Sequence, residues 1–194
     1  AGVFYPEDPK VLGETIDAFL HAAPFKPLPG RIRGLICPHA GYRFSGAVAA
    51  CAYKKLLQEQ GFDTVVLLAP SHHAFLEGGS VSGASFFRTP LGDVPISTKA
   101  RDLGKCPPFA IDAPCDVMPP QWARQSVLSG GGTPSADTWE HADEVQVPFL
   151  QKTLGDFSLV PVILGEADPA AAAKALAAIL DDRTLVVASS DLSH

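Results

Sequence analysis

The chain has no C-x-x-C pair, no excess of basic residues and no apolar run long enough to span a membrane. Its four cysteines, Cys37, Cys51, Cys106 and Cys115, stand singly, which argues against a zinc ribbon. Cys37 and Cys51 fall in apolar segments and read as reduced core residues. Fifteen Lys and Arg against 21 Asp and Glu leave a formal charge of −6. That balance speaks against a nucleic acid or a membrane surface as partner, because both select a basic patch. A span needs roughly 20 consecutive apolar residues, and none occurs. The N-terminus lacks the charged-then-apolar layout of a signal peptide, so the expected compartment is the cytoplasm. No G-x-S-x-G elbow surrounds Ser71, Ser189 or Ser190, so these serines are expected to tie up turn backbone rather than act as nucleophiles.

What is present is a series of short apolar blocks. With 194 residues, 46% of them hydrophobic, the chain is expected to form one domain over 1–194 with a sizeable core. "VVLLA" (65–69) is apolar on both faces, as a central strand of a parallel sheet must be when helices cover both its sides. "RIRGLIC" (31–37), "FSLVPVILG" (157–165) and "TLVVAS" (184–189) read the same way. Between the first two, Ser45 is expected to cap a helix that buries Val48, Cys51, Ala52 and Leu56 and closes at Gly61. Asp168-Pro169 opens another helix, with Ala172, Leu176, Ile179 and Leu180 on one face. Residues 79–98 alternate like paired edge strands. The tract from Gly104 to Trp139, with six prolines and a Gly130-Gly131-Gly132 run, reads as a surface excursion. The expected class is α/β, a mainly parallel or mixed central sheet with helices on both faces.

Three of these strands run into polar turns that carry His39, His72 with His73, and Asp191 with His194. Parallel strands present their carboxyl ends along one sheet edge, which is where ligands bind in open α/β sheets. Imidazole is the commonest side-chain ligand of first-row transition metals. Two histidines with one carboxylate suit ferrous iron, and the same set suits zinc. His21 reads as a solvated histidine. His73 does too, because adjacent loop residues rarely point into one site. In "WEHADEVQVPFLQKTLG" (139–155), Val145, Phe149 and the stem of Lys152 share a helical face, and Pro148 either begins the helix or kinks it. Glu140, His141 and Glu144 lie just ahead. Acidic groups there favour the helix dipole, and equally they can line a cleft as acid, base or support.

The blocks "AGVFYP" (1–6), "PHAGYRFSGAVAACAY" (38–53), "LLAPSHH" (67–73), "TPLGDV" (89–94), "EHADEVQVPFLQ" (140–151) and "SSDLSH" (189–194) resemble, in order and over nearly the whole chain, those of the Memo family. Its bacterial and archaeal members are called AmmeMemoRadiSam system protein B. The resemblance implies a LigB-like fold, related to class III extradiol dioxygenases, which use non-haem iron. It implies His39 and His72 as metal ligands and His194 as the acid/base, with Asp191 beside it; His141 and Glu144, from their place ahead of the helix, are the further catalytic candidates. Iron is the implied metal, with copper or zinc as alternatives. Where the dioxygenases close the ligand set with a carboxylate, Memo proteins offer a cysteine. Family members continue beyond "SSDLSH", so the resemblance implies that this chain lacks a C-terminal part and that the third ligand lies beyond residue 194. Two features depart from the family: the long 104–139 tract, and "EHADE" in place of "EHS-E", which loses the serine.

Three functions compete at this stage. One is a dioxygenase-like, metal-dependent oxidoreductase acting on an unknown small molecule. The second is a non-catalytic adaptor that holds a peptide or partner in the same cleft. The third is a zinc-dependent hydrolase.

Overall fold

A computed structural model describes residues 1–58, 61–120 and 134–192. In chain order its elements are α1 (Pro9–Ala22), β1 (Gly34–Cys37), α2 (Tyr42–Tyr53), a 3-10 turn (Lys54–Gln58), β2 (Thr64–Pro70), β3 (Ala74–Phe75), β4 (Gly79–Val81), β5 (Phe86–Thr89), β6 (Gly92–Pro95), α3 (Thr98–Leu103), β7 (Phe109–Ile111), β8 (Asp116–Val117), α4 (Val147–Leu154), β9 (Ser158–Leu164), α5 (Pro169–Ala177) and β10 (Thr184–Ser189). The main sheet has the order β1-β10-β2-β9-β4-β7. Strands β1, β10, β2 and β9 are mutually parallel, β4 runs antiparallel to β9, and β7 is parallel to β4. This is a mixed α/β sheet with helices on both faces.

The four parallel strands lie close to where their apolar runs place them, and their side chains alternate between two cores. Val65, Leu67, Leu159, Leu185 and Val187 pack with residues of α1, α2 and α4, including Leu12, Ile16, Tyr53 and Phe149. Val66, Val160 and Val162 face the other way, against Leu103 of α3 and Ala172 and Ala175 of α5. Asp168 caps α5 as expected, its side chain accepting from the Ala171 N–H at 2.8 Å.

Helix α2 departs from expectation. It starts at Tyr42, with Gly41 at the cap, and its buried face is Tyr42, Ser45, Gly46, Ala49, Ala50 and Tyr53. Ser45 is therefore inside the helix, donating to the Ala40 carbonyl at 2.7 Å, while Val48 is 62% exposed. The reason is proximity to α1. A Cβ on Gly46 would stand 2.5 Å from Phe19 of α1, so this interface is built from small residues and the bulky aliphatic residue is left outside. Two further corrections concern the second half of the sheet. Within 79–98, β4 enters the main sheet and only β5 and β6 form a hairpin. Part of the proline-rich tract is also structural, because β7 ends the main sheet and buries Phe109. Among the described residues, no helix is long and apolar enough to cross a membrane.

Candidate metal centre

The strand-end turns meet over the carboxyl edge of β1, β10 and β2. Beyond the last paired residues, the Ser190 N–H donates to the Cys37 carbonyl at 2.8 Å. That bond carries the β1–β10 alignment into the turns, and the Asp191 carboxylate then accepts from the His39 N–H at 2.7 Å. His39 is buried at 3% exposure. Its ring centre lies 5.1 Å from that of His72 with planes at 75°, and 5.8 Å from that of His141 with planes at 90°. His141 stacks on Phe4 (4.1 Å, 12°) and on His72 (4.9 Å, 27°). His73 keeps a looser distance, 6.5 Å from His141.

Hydrogen-bond bookkeeping assigns the protons of two rings. Glu140, 4% exposed, accepts from the His72 N–H at 2.7 Å, the His72 Nδ1 at 2.9 Å, and the N–H groups of His141 and Ala142 at 2.8 and 2.9 Å. An ionised carboxylate only accepts, so Nδ1 of His72 carries a proton, and in the neutral ring Nε2 presents the lone pair. Burial raises the Glu140 pKa, but the bonds from the His72 ring and from the amides of His72 and Ala142 outweigh it and hold the carboxyl at about 2. The same bond to Glu140 raises the His72 pKa against the opposing effect of burial.

For His39 the argument runs through Ser189. The Gln146 amide is pinned, with Oε1 accepting from the Tyr53 hydroxyl at 2.7 Å and Nε2 donating to the Pro38 carbonyl at 2.9 Å. Its Nε2 also donates to Ser189 Oγ at 2.9 Å, and Ser189 spends its single proton on the Ala142 carbonyl at 2.5 Å. His39 Nδ1, 3.1 Å from the same Oγ, must therefore donate, which leaves Nε2 of His39 with the lone pair. That Nε2 stands 3.7 Å from Asp191 Oδ2. Burial lowers the His141 pKa to about 4, against the pull of Glu140 and reinforced by the other histidines, so this ring is neutral at neutral pH.

The donor set can be tested against a metal ion. Ligating nitrogens lie about 2.0–2.1 Å from a zinc-sized ion. Two imidazoles at tetrahedral angles then have ring centres roughly 5 Å apart, which matches His39 and His72. Ligand atoms of His72, Glu140 and His141 also fall within 4.8 Å of one another. Glu140, however, already takes four N–H groups, so it positions rings instead of being free to bind.

The structure thus brings together His39, His72, His141, Glu140 and Asp191. Glu144 is turned elsewhere: its carboxylate accepts from the Tyr5 hydroxyl and from the Ala1 ammonium at 2.8 Å, and it lines a cavity with Phe87 and Asp143. His194 lies outside the described residues. Ser189, expected to tie up turn backbone, does so on the Ala142 carbonyl and also meets the His39 ring; Gln146 is the position that the sequence reading passed over, and its only signal was that it sits in a block that shares order with the strand-end histidines.

Comparison with known proteins covers the same blocks. A family described as Memo-like protein matches residues 1–118 and 121–194. A MEMO1 family protein of Methanopyrus kandleri is 35% identical, over all of this chain and 67% of its own length. One of Ignicoccus hospitalis is 34% identical over all of this chain and 67% of its own length, and one of Thermotoga maritima 32% over all of this chain and 68%.

Proposed function

The chain belongs to the Memo-like protein family, and on that premise we propose that its strand-end cleft holds one transition-metal ion on Nε2 of His39 and Nε2 of His72. The observation that carries this reading is the pair of committed Nδ1 protons. Glu140 takes one and Ser189 the other, so both rings present lone pairs from a fixed orientation. Carboxylate and hydroxyl partners of this kind are what ligating histidines need to hold tautomer and direction. Asp191 is the nearest carboxylate to His39 and balances the charge of a cation there.

Iron is the metal that the histidine–carboxylate set favours, and when bound it supplies oxygen chemistry of the dioxygenase type. The protein's own part is positioning and proton handling. His141, neutral and packed between Phe4 and His72, is placed to accept a proton from a substrate hydroxyl. A cavity of about 490 Å³ beside His72, lined by Phe75, Leu76 and Leu164 and also by Glu77 and Glu166, has the size for a small-molecule substrate.

The test is metal analysis of anaerobically purified protein, followed by calorimetric titration with ferrous iron, copper and zinc. Stoichiometric binding is expected, with at least a hundredfold loss in His39→Ala and in His72→Ala. Unchanged affinity in both variants would end the metal reading and leave partner binding in front. Oxygen uptake by the iron-loaded protein over a panel of dihydroxy-aromatic compounds then separates redox from hydrolytic work.

A further inference from the structure

The main sheet is covered unevenly. Its first face, carrying Leu35, Cys37, Leu185 and Val187, packs under α1, α2 and α4. On the second face the register sets Gly34, Val186, Val66 and Val160 in one row and Ile36, Ala188, Leu68 and Val162 in the next. Val66, Val160 and Val162 are buried under α3 and α5. Cover then fades toward β1: Leu68, Val186 and Ala188 are half-buried, and Ile36 is 64% exposed. β1 is also an edge strand. The Arg33 and Cys37 carbonyls accept from the Val186 and Ser190 N–H groups. Gly34 and Ile36 therefore turn their N–H and C=O groups to the free side, where no strand pairs with them among the described residues. Parallel strands are normally covered on both faces, and an open apolar edge invites another chain segment.

We propose that this bare corner is the docking surface for a segment that follows residue 194 in a protein of its relatives' length. The segment lays a helix over Ile36, Val186 and Ala188 and adds a strand parallel to β1 on its free edge. Handedness selects this occupant first, because parallel crossovers are right-handed. The connection from β1 to β2 runs one way along the sheet, and its helix α2 lies on the first face. The connection from β9 to β10 runs the other way, and α5 lies on the second face. A crossover from β10 past β1 continues in the β9-to-β10 direction, so its helix belongs on the second face, over the residues left bare. Length agrees. The Methanopyrus kandleri and Ignicoccus hospitalis relatives are matched over 67% of their own length. The remaining third far exceeds the dozen or so residues that a crossover needs. A second copy paired through β1 would satisfy the edge but leave the face over Ile36 uncovered.

The proposal does not rest on the metal reading. Its test is amide hydrogen exchange, followed by NMR, on the protein expressed from its gene through the segment after residue 194. The Gly34 and Ile36 amides should exchange within about tenfold of the Leu35 and Cys37 amides, which face β10. The Ile36 and Val186 methyl groups should show cross-peaks to residues beyond 194. Ile36→Lys should lower the urea midpoint by about 1 M. Exchange at Gly34 and Ile36 more than about tenfold faster than at Leu35 and Cys37 would overturn the proposal. A gene that stops at residue 194 would overturn it, as would cross-peaks only to a preceding segment or between differently labelled copies. If Ile36→Lys does not fold, the exchange and cross-peak measurements on the parent protein still decide.

Discussion

Glu140 and Asp143 are two carboxylates three residues apart, almost equally buried at 4% and 1%, with opposite protonation behaviour. Glu140 is held at about 2, while Asp143 is pushed well above the usual range. Burial raises both, so burial cannot explain the difference. Donors do. Glu140 sits where the turn after β2 and its own turn aim four N–H groups at it, whereas Asp143 receives one, from the next amide. A buried charge is stable only as far as its hydrogen bonds reach. One turn thus holds a carboxylate that organises imidazoles and another whose second oxygen is buried without a donor among the described residues.

The largest effect should come from breaking the satisfied member. Glu140→Ala strands the four N–H groups and frees both rings, and it should destabilise the chain by about 3 kcal/mol in urea unfolding. The pH dependence has a definite sign. Because the folded-state pKa of Glu140 is depressed to about 2, its stabilisation is full above the unfolded carboxyl value and fades as pH falls from there through about 2. Glu140→Ala should lack that acid-side loss, and an unaltered acid transition would contradict the assignment.

Asp143→Asn should act in the opposite direction and less strongly. The folded-state pKa of Asp143 is raised, so its protonated form is favoured at low pH and its cost grows as pH rises. The asparagine variant should therefore be more stable than the parent by about 1 kcal/mol at neutral pH. The difference should vanish below the unfolded aspartate value. Destabilisation at neutral pH would show that Asp143 has a partner within the protein.

Much of the fold was legible because the parallel strands are covered on both faces and so write continuous apolar runs, as Val65–Ala69 does. The histidines at their ends followed from the same logic. Sequence patterning misjudged α2, where close approach to α1 at Gly46 puts Ala49 and Ala50 inside and Val48 outside. It also put β4 in an edge ribbon instead of the main sheet, and it missed β7, three residues long and too short to write a period. At the centre, His39 and His72 carried a signal, but the roles of Ser189 and Gln146 did not. Those depend on where a hydroxyl proton points between β10, Pro38 and Ala142, a relation across residues 38 to 189 that no local pattern encodes.

The central claim is that His39 and His72 both present Nε2 lone pairs from protein-locked tautomers. Long-range ¹H–¹⁵N NMR of the imidazole rings in mildly alkaline solution, above the raised His72 pKa, in the metal-free chain and in Ser189→Ala, tests it most directly. Both rings should carry their proton on Nδ1. The Nε2 resonances of both should move on adding one equivalent of zinc, and in Ser189→Ala only His39 should lose its tautomer preference. A proton on Nε2 of either ring in the parent chain, or no movement of the Nε2 resonances with zinc, would contradict it.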